Sequence, residues 1–135
     1  MNSIKRCTLL FLLALASVPA FAADLVQVST SVTYPSANPG GADEGTVLIN
    51  NNTNADVRVR LDLRVVFSDG KVQRLTGVSD PGVLPPGGGF FQSVFFVVPA
   101  DASLGTATFV ADVTASSGGL QERETSSATF EVVAP

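Results

Sequence analysis

No histidine and no tryptophan occur in the 135 residues, and cysteine, methionine and tyrosine occur once each. Without histidine there is no Ser-His-Asp or Cys-His catalytic unit, no imidazole metal site and no side chain that ordinarily titrates near neutrality. A lone cysteine, Cys7, excludes a disulfide within the chain. With Tyr34 as the one tyrosine, there is little from which to build the exposed aromatic platform on which sugars stack. Charge is sparse at 15%, and 12 acidic residues outnumber 8 basic ones. That balance opposes nucleic acid and anionic membranes as general partners.

Residues 1–22 follow a different plan from the rest. Lys5 and Arg6 precede the apolar run Leu9-Leu-Phe-Leu-Leu-Ala-Leu-Ala16, and Ala20-Phe-Ala22 supplies a small-residue end. A basic start, a short apolar core and an A-x-A end predict a secretory signal cut after Ala22. The core falls short of the roughly 20 apolar residues a membrane span needs. Cys7 precedes the apolar run and is misplaced for a lipid-modified first residue. The expected product is residues 23–135, one soluble exported domain, periplasmic or extracellular, with no membrane attachment. Losing Lys5 and Arg6 leaves 6 basic against 12 acidic residues, a net charge of −6, and no cysteine. Such a chain must be stabilised by its own hydrophobic core, for which its length suffices.

Period two dominates the domain. Val26, Val28, Thr30, Val32 and Tyr34 alternate with polar residues and predict a strand with Tyr34 inward; residues 35–45 read as a loop. Thr46–Asn50 is a short strand with apolar residues of both parities. From Asp56 to Phe67 the residues Val57, Val59, Leu61, Leu63, Val65 and Phe67 share one face, and Arg58, Arg60, Asp62 and Arg64 the other. Ser68-Asp-Gly-Lys71 is a hairpin turn. In simple register Val72 and Arg74 then point inward and Leu75 outward, unless a bulge after Gly70 shifts them. Residues 77–89 read as a crossing loop, followed by strands at Phe90–Val98 and Gly105–Ala115, the latter with Ala107, Phe109, Ala111 and Val113 inward. A last strand carries Ser126, Ala128, Phe130 and Val132 on one parity. About seven strands with turn signals between them predict an all-β, two-sheet antiparallel sandwich.

The runs Gly45-Thr-Val-Leu-Ile-Asn-Asn51, Leu84-Pro-Pro-Gly-Gly-Gly89, Val94-Phe-Phe-Val-Val-Pro99 and Gly105-Thr-Ala-Thr-Phe109, set around the long alternating strand, resemble bacterial immunoglobulin-like modules. These are the adhesion-type and enzyme-accessory domains, in which a crossing loop of this kind precedes a strand. The resemblance covers nearly all of residues 23–135. It implies a non-catalytic immunoglobulin-like sandwich engaged in binding or assembly. The Cys…Trp…Cys signature of antibody domains is absent.

Two constellations stand out as candidate binding residues. Arg58, Arg60 and Arg64 lie on one face of one strand; guanidinium groups fork carboxylates and phosphates, which suits an anionic glycan or an acidic protein surface. The alternative is a solvated face whose arginines pair with Asp62, Asp112 or Glu131. The second constellation is Phe91, Phe95 and Val97, the parity opposite Phe90, Val94, Phe96 and Val98, together with Leu48. One face alone can enter a sandwich core, so these four either form an exposed interaction patch or lie under a loop such as 35–45 or 77–89.

Other motifs carry less. Asn52-x-Asn54-x-Asp56 starts like a calcium-binding EF-hand loop, but Val57 stands where that loop needs glycine and Leu63 where it needs glutamate. An irregular site from Asp43, Glu44 or Asp80 has no supporting spacing. Asn51-Asn-Thr53 matches a glycosylation acceptor. Gly87-Gly-Gly89 lacks the lysine and helix of a phosphate cradle. Glu122 and Glu124 fall near a hairpin tip, where little burial is available to raise a catalytic pKa. The expectation is therefore no enzyme, no metal and no cofactor, with another protein or a second copy as partner. An anionic glycan and the active site of an enzyme to be inhibited remain as alternatives.

Overall fold

In the computed structural model the described residues are 24–135, so the expected signal at 1–22 lies outside them. Nine strands follow in order: β1 (Val26–Val32), β2 (Ser36–Ala37), β3 (Ala42–Asn51), β4 (Val57–Val66), β5 (Val72–Arg74), β6 (Gly82–Leu84), β7 (Gly89–Val97), β8 (Gly105–Ser117) and β9 (Leu120–Val132). They form a three-stranded sheet, β1-β3-β7, and a six-stranded sheet, β2-β9-β8-β4-β5, with β6 also on β4. All pairings are antiparallel except β2 with β9. The protein is an all-β, two-sheet sandwich, as its alternation predicts.

Alternation decides which face each strand buries. Val57, Val59, Leu63 and Val65 on β4 are buried, with Leu61 half-buried, and so are Ala107, Phe109, Ala111, Val113 and Ala115 on β8. The smaller sheet answers with Val26, Val47, Ile49 and Phe96. Burying each of the larger side chains contributes about 1.5–3 kcal/mol. Phe96 crosses the interlayer to the other sheet, its ring centroid 6.4 Å from Phe109 and 5.8 Å from Phe130. Gly45 lies directly over Phe109, and a Cβ at that position would run into the ring. Glycine is required there by close approach rather than by φ.

The small sheet is tied to the large one at Asn51, which is 1% exposed. Its Nδ2 donates to the carbonyls of Ala55, Leu84 and Pro85 at 2.8, 2.9 and 3.0 Å, while Oδ1 accepts from the Thr53 amide and hydroxyl. The two N–H groups of one amide are thus shared among three carbonyls, and Ala55 O also accepts the Thr53 hydroxyl at 3.0 Å.

Several sequence expectations change. The segment 35–45 is not all loop: Ser36–Ala37 pair with β9, and β3 already begins at Ala42. Gly82–Leu84, inside the expected crossing loop, pairs with β4. Tyr34 is exposed rather than inward, because β1 ends at Val32 and the Tyr34 amide turns to the Asp43 carboxylate. The simple hairpin register also fails. Phe67 N bonds Lys71 O around a three-residue loop with Gly70 at φ 88°, and this phase puts Val72 and Arg74 outward and Leu75 against the core.

Candidate functional site

On the outer face of the smaller sheet the β7 row and Leu48 are apolar, while β1 contributes Gln27, Ser29 and Ser31 and β3 contributes Glu44, Thr46 and Asn50. The register of β3 with β7 sets Leu48 opposite Phe91, Thr46 opposite Ser93, Glu44 opposite Phe95 and Ala42 opposite Val97. Phe91, Phe95 and Val97 are 67, 71 and 62% exposed, and Leu48 38%. Neither proposed covering loop lies over them: residues 42–45 are part of β3 itself, and 82–84 belong to the other sheet. Between the two phenylalanines the hydroxyls of Thr46 and Ser93 bond each other at 3.0 Å, leaving no charged group on the β7 row. Phe91 and Phe95 stand about 13 Å apart along the strand.

The outer face of the larger sheet is charged. Asp112 accepts the Thr125 hydroxyl at 2.7 Å, pairs with Arg64, and has Arg123 at 3.6 Å. The Thr125 hydrogen bond, then Arg64, hold its carboxyl below the usual carboxylate range. Asp62 pairs with Arg74 at 3.1 Å, and Glu131 accepts from Thr106. The expected arginine stripe is therefore divided. Arg64 is engaged, while Arg58 and Arg60, both exposed, have no carboxylate partner among the described residues. Arg60 lies opposite Thr114, and Arg58 opposite Ser116 on one side and Val83 on the other. Shallow hollows flank them, one lined by Asp62, Asp112, Thr114, Gln121 and Arg123 besides Arg60. Arg123 was not singled out from sequence, although its pairing opposite Thr114 follows from the hairpin at Gly118-Gly119.

Glu122 and Glu124 are not solvated at a tip. They share the inward parity of Ser126, Ala128 and Phe130, and both are half-buried. Glu122 accepts the Leu25 amide, and the carboxylate oxygens of Asp24, Glu122 and Glu124 lie within 4.8 Å of one another. Burial first, and then Asp24, raise the Glu124 pKa. Oxygen donors at such spacing suit a hard divalent cation, but exposed Asp24 and its neighbours also fit a plain acidic cluster at the mouth of the sandwich. The Asp43, Glu44 and Asp80 set does not assemble, since Asp43 points inward and Glu44 outward on β3. Asp43 Oδ1 accepts from the amides of Tyr34 and Glu44 at 3.0 and 2.7 Å, and its Oδ2 is buried without a partner.

Comparison with known proteins adds the fold. No protein-family model matches the chain. No curated protein matches it. Among solved structures it is similar to the alkylpurine DNA glycosylase AlkC of Pseudomonas fluorescens bound to DNA containing an abasic site analog, with TM-score 0.57 and 21% identity over 84% of this chain and 32% of that one. A family 123 glycoside hydrolase from Clostridium perfringens gives TM-score 0.53 and 13% identity over 81% of this chain and 28% of that one. The chain thus spans a third or less of either enzyme. A CARDB domain from Pyrococcus furiosus, in complex with di-metal ions, superposes with TM-score 0.46 at 12% identity, over 82% of this chain and 90% of that one. At these identities the likeness to the first two is one of fold alone.

Proposed function

We propose that this chain is an exported, non-catalytic, immunoglobulin-like module that binds another protein, or a second copy of itself, through the outer face of its smaller sheet. The observation that carries the reading is the pair Phe91 and Phe95, each about two-thirds exposed on a strand without charge and continuous with Leu48 and Val97. Two large aromatic side chains left in water on one row of an edge strand fit an interaction surface. The signal-like residues 1–22 support export, and the acidic balance opposes carrying DNA binding over from the glycosylase neighbour. The double variant Phe91→Asp, Phe95→Asp should keep its unfolding midpoint within a few degrees and lose capture of proteins from the native compartment. Undiminished capture would overturn the reading, and a large fall in midpoint would show the residues to be core.

The freedom of Arg58 and Arg60 supports a second reading, an anionic glycan held on the opposite face. Arg58→Glu with Arg60→Glu should then abolish salt-sensitive retention on a sulfated polysaccharide column. Equal retention by both proteins sinks it.

A further inference from the structure

β7 lies at the end of the order β1-β3-β7 and is hydrogen-bonded to β3 alone. The bonds Asn51 N–Gly88 O and Val98 N–Gly41 O fix its phase: even-numbered residues direct their backbone groups to β3. Phe91, Ser93, Phe95 and Val97 therefore direct theirs away from the sheet. Side chains touch this row at Val97 O, which accepts Gln73 Nε2 at 3.0 Å, and at Ser93 O, which accepts Gln92 Nε2 at 3.3 Å.

Among the described residues the other sheet edges are short, covered or charged; β9, beyond the two residues it pairs with β2, lies against β1 and carries Glu122, Arg123 and Glu124. β2 has two residues, and β5 and β6 three each. β1 is closed over by β9, with the Leu25 amide on Glu122 and the Thr30 hydroxyl 2.9 Å from that of Ser126. Short strands, charges and coverage are the ordinary protections of an edge. β7 is long, nine residues Gly-Phe-Phe-Gln-Ser-Val-Phe-Phe-Val without charge or proline, and its coverage is confined to the Gln73 and Gln92 side chains and the Ser79 amide, which bonds Gln92 Oε1 at 3.4 Å.

Resting on the reading above, we infer that this edge pairs antiparallel with the β7 edge of a second copy about a twofold axis at Ser93. The strand is its own complement. Phe90-Phe-Gln-Ser-Val-Phe-Phe96 reads nearly the same in both directions about Ser93. Antiparallel pairing there sets Ser93 opposite its own copy, Phe91 opposite the partner's Phe95 and Gly89 opposite the partner's Val97. The outward-directed amides and carbonyls come into phase with their counterparts, with the Gln73 and Gln92 side chains giving up Val97 O and Ser93 O, and the aromatic rows of both copies join on one face. Charge favours the same occupant. Two copies of residues 23–135, each with 6 basic and 12 acidic residues, repel in general, yet this strand brings no charge to the contact. The nearest carboxylate on that face, Glu44, sits one strand back, accepting the Thr33 hydroxyl at 2.7 Å. With one long free edge per chain, the pairing closes at two copies and does not propagate into a filament.

The test is sedimentation of the exported chain across about a hundredfold range of concentration, with half-dimerisation expected in the micromolar range of a narrow contact. In residues 23–135, which carry no cysteine of their own, Ser93→Cys should give a disulfide-linked dimer under mild oxidation. Facing Cα atoms of a hydrogen-bonded pair lie about 5.5 Å apart, within disulfide reach. Ser29→Cys, on β1 of the same face, should remain unlinked. Ser93→Pro removes an outward amide and none that reaches β3, and should weaken dimerisation at least about tenfold. A strict monomer with no Ser93→Cys dimer overturns the inference. So does a dimer that Ser93→Pro leaves untouched, because it forms by face contact. A monomer that still captures a different protein through Phe91 and Phe95 overturns the pairing alone and leaves the proposed function standing.

Discussion

The two sheets bury their inner faces by the same rule and spend their outer faces differently. On the larger sheet, outward positions carry Arg58, Arg60, Asp62, Arg64, Asp112, Thr114 and Arg123, and even the outward-facing Val110, opposite Arg64, is hidden to 7% exposure. On the smaller sheet, the equivalent positions of β7 carry Phe91, Ser93, Phe95 and Val97. A uniform solubility requirement would give both faces the same treatment. The contrast separates a charged, largely ion-paired face from one whose edge row is aromatic and aliphatic.

The comparison breaks hardest on β7 itself, where neighbouring phenylalanines face opposite ways. Phe96→Ala should cost about 3–5 kcal/mol, because its ring joins Phe109 and Phe130 across the interlayer. Phe95→Ala should stay within about 0.5 kcal/mol in a dilute, monomeric sample. Urea midpoints measure both, and comparable losses would erase the distinction between faces. A smaller effect sharpens the charged side. The folded pKa of Asp112 lies below its unfolded value, so its contribution is complete above the ordinary carboxylate pKa and is lost as pH falls through the lowered one. Asp112→Asn should cost about 1 kcal/mol at neutral pH and little in strong acid. Arg64→Ala should share that pH dependence, while Arg58→Ala, with no partner to lose, should show none. The smallest effect has the opposite sign. Glu124 has a raised pKa, so ionising it opposes folding, and stability falls as pH rises through the raised value. Glu124→Gln should raise the thermal midpoint slightly at neutral pH, with the gain vanishing below the carboxylate range.

Much of the fold was legible because it rests on period two. The inward sets of β4 and β8 could be written down residue by residue, and Ala107, Phe109, Ala111 and Val113 are all fully buried. Both parities of β7 were legible as apolar. Which one met the core depended on what the rest of the chain covered, and that is a tertiary property. β2 and β6 were invisible because strands of two or three residues exist only through their partners. The direction of Val72 and Leu75 hinged on one residue in the turn: a loop of three rather than two exchanges the faces of everything after it. Asn51 was hidden in a polar tract that reads as a turn, although its amide is shared among the carbonyls of Ala55, Leu84 and Pro85. The burial of Glu122 and Glu124 could have been read from their shared parity with Phe130. The divided arginine stripe could not, because pairing depends on which strands lie side by side.

The contact between the first and last long strands bears on the order of events during synthesis. Leu25 bonds Glu122 and Thr30 bonds Ser126, at sequence separations of 97 and 96 residues. β1 therefore has no partner on its β9 side until nearly the whole chain has emerged, and Phe130 and Val132 reach the core last of all. Contacts of such long range make folding slow relative to local structures. A nascent chain that cannot close until its final strand arrives remains threadable for as long as it is being made. That delay suits a protein proposed to cross a membrane before it folds.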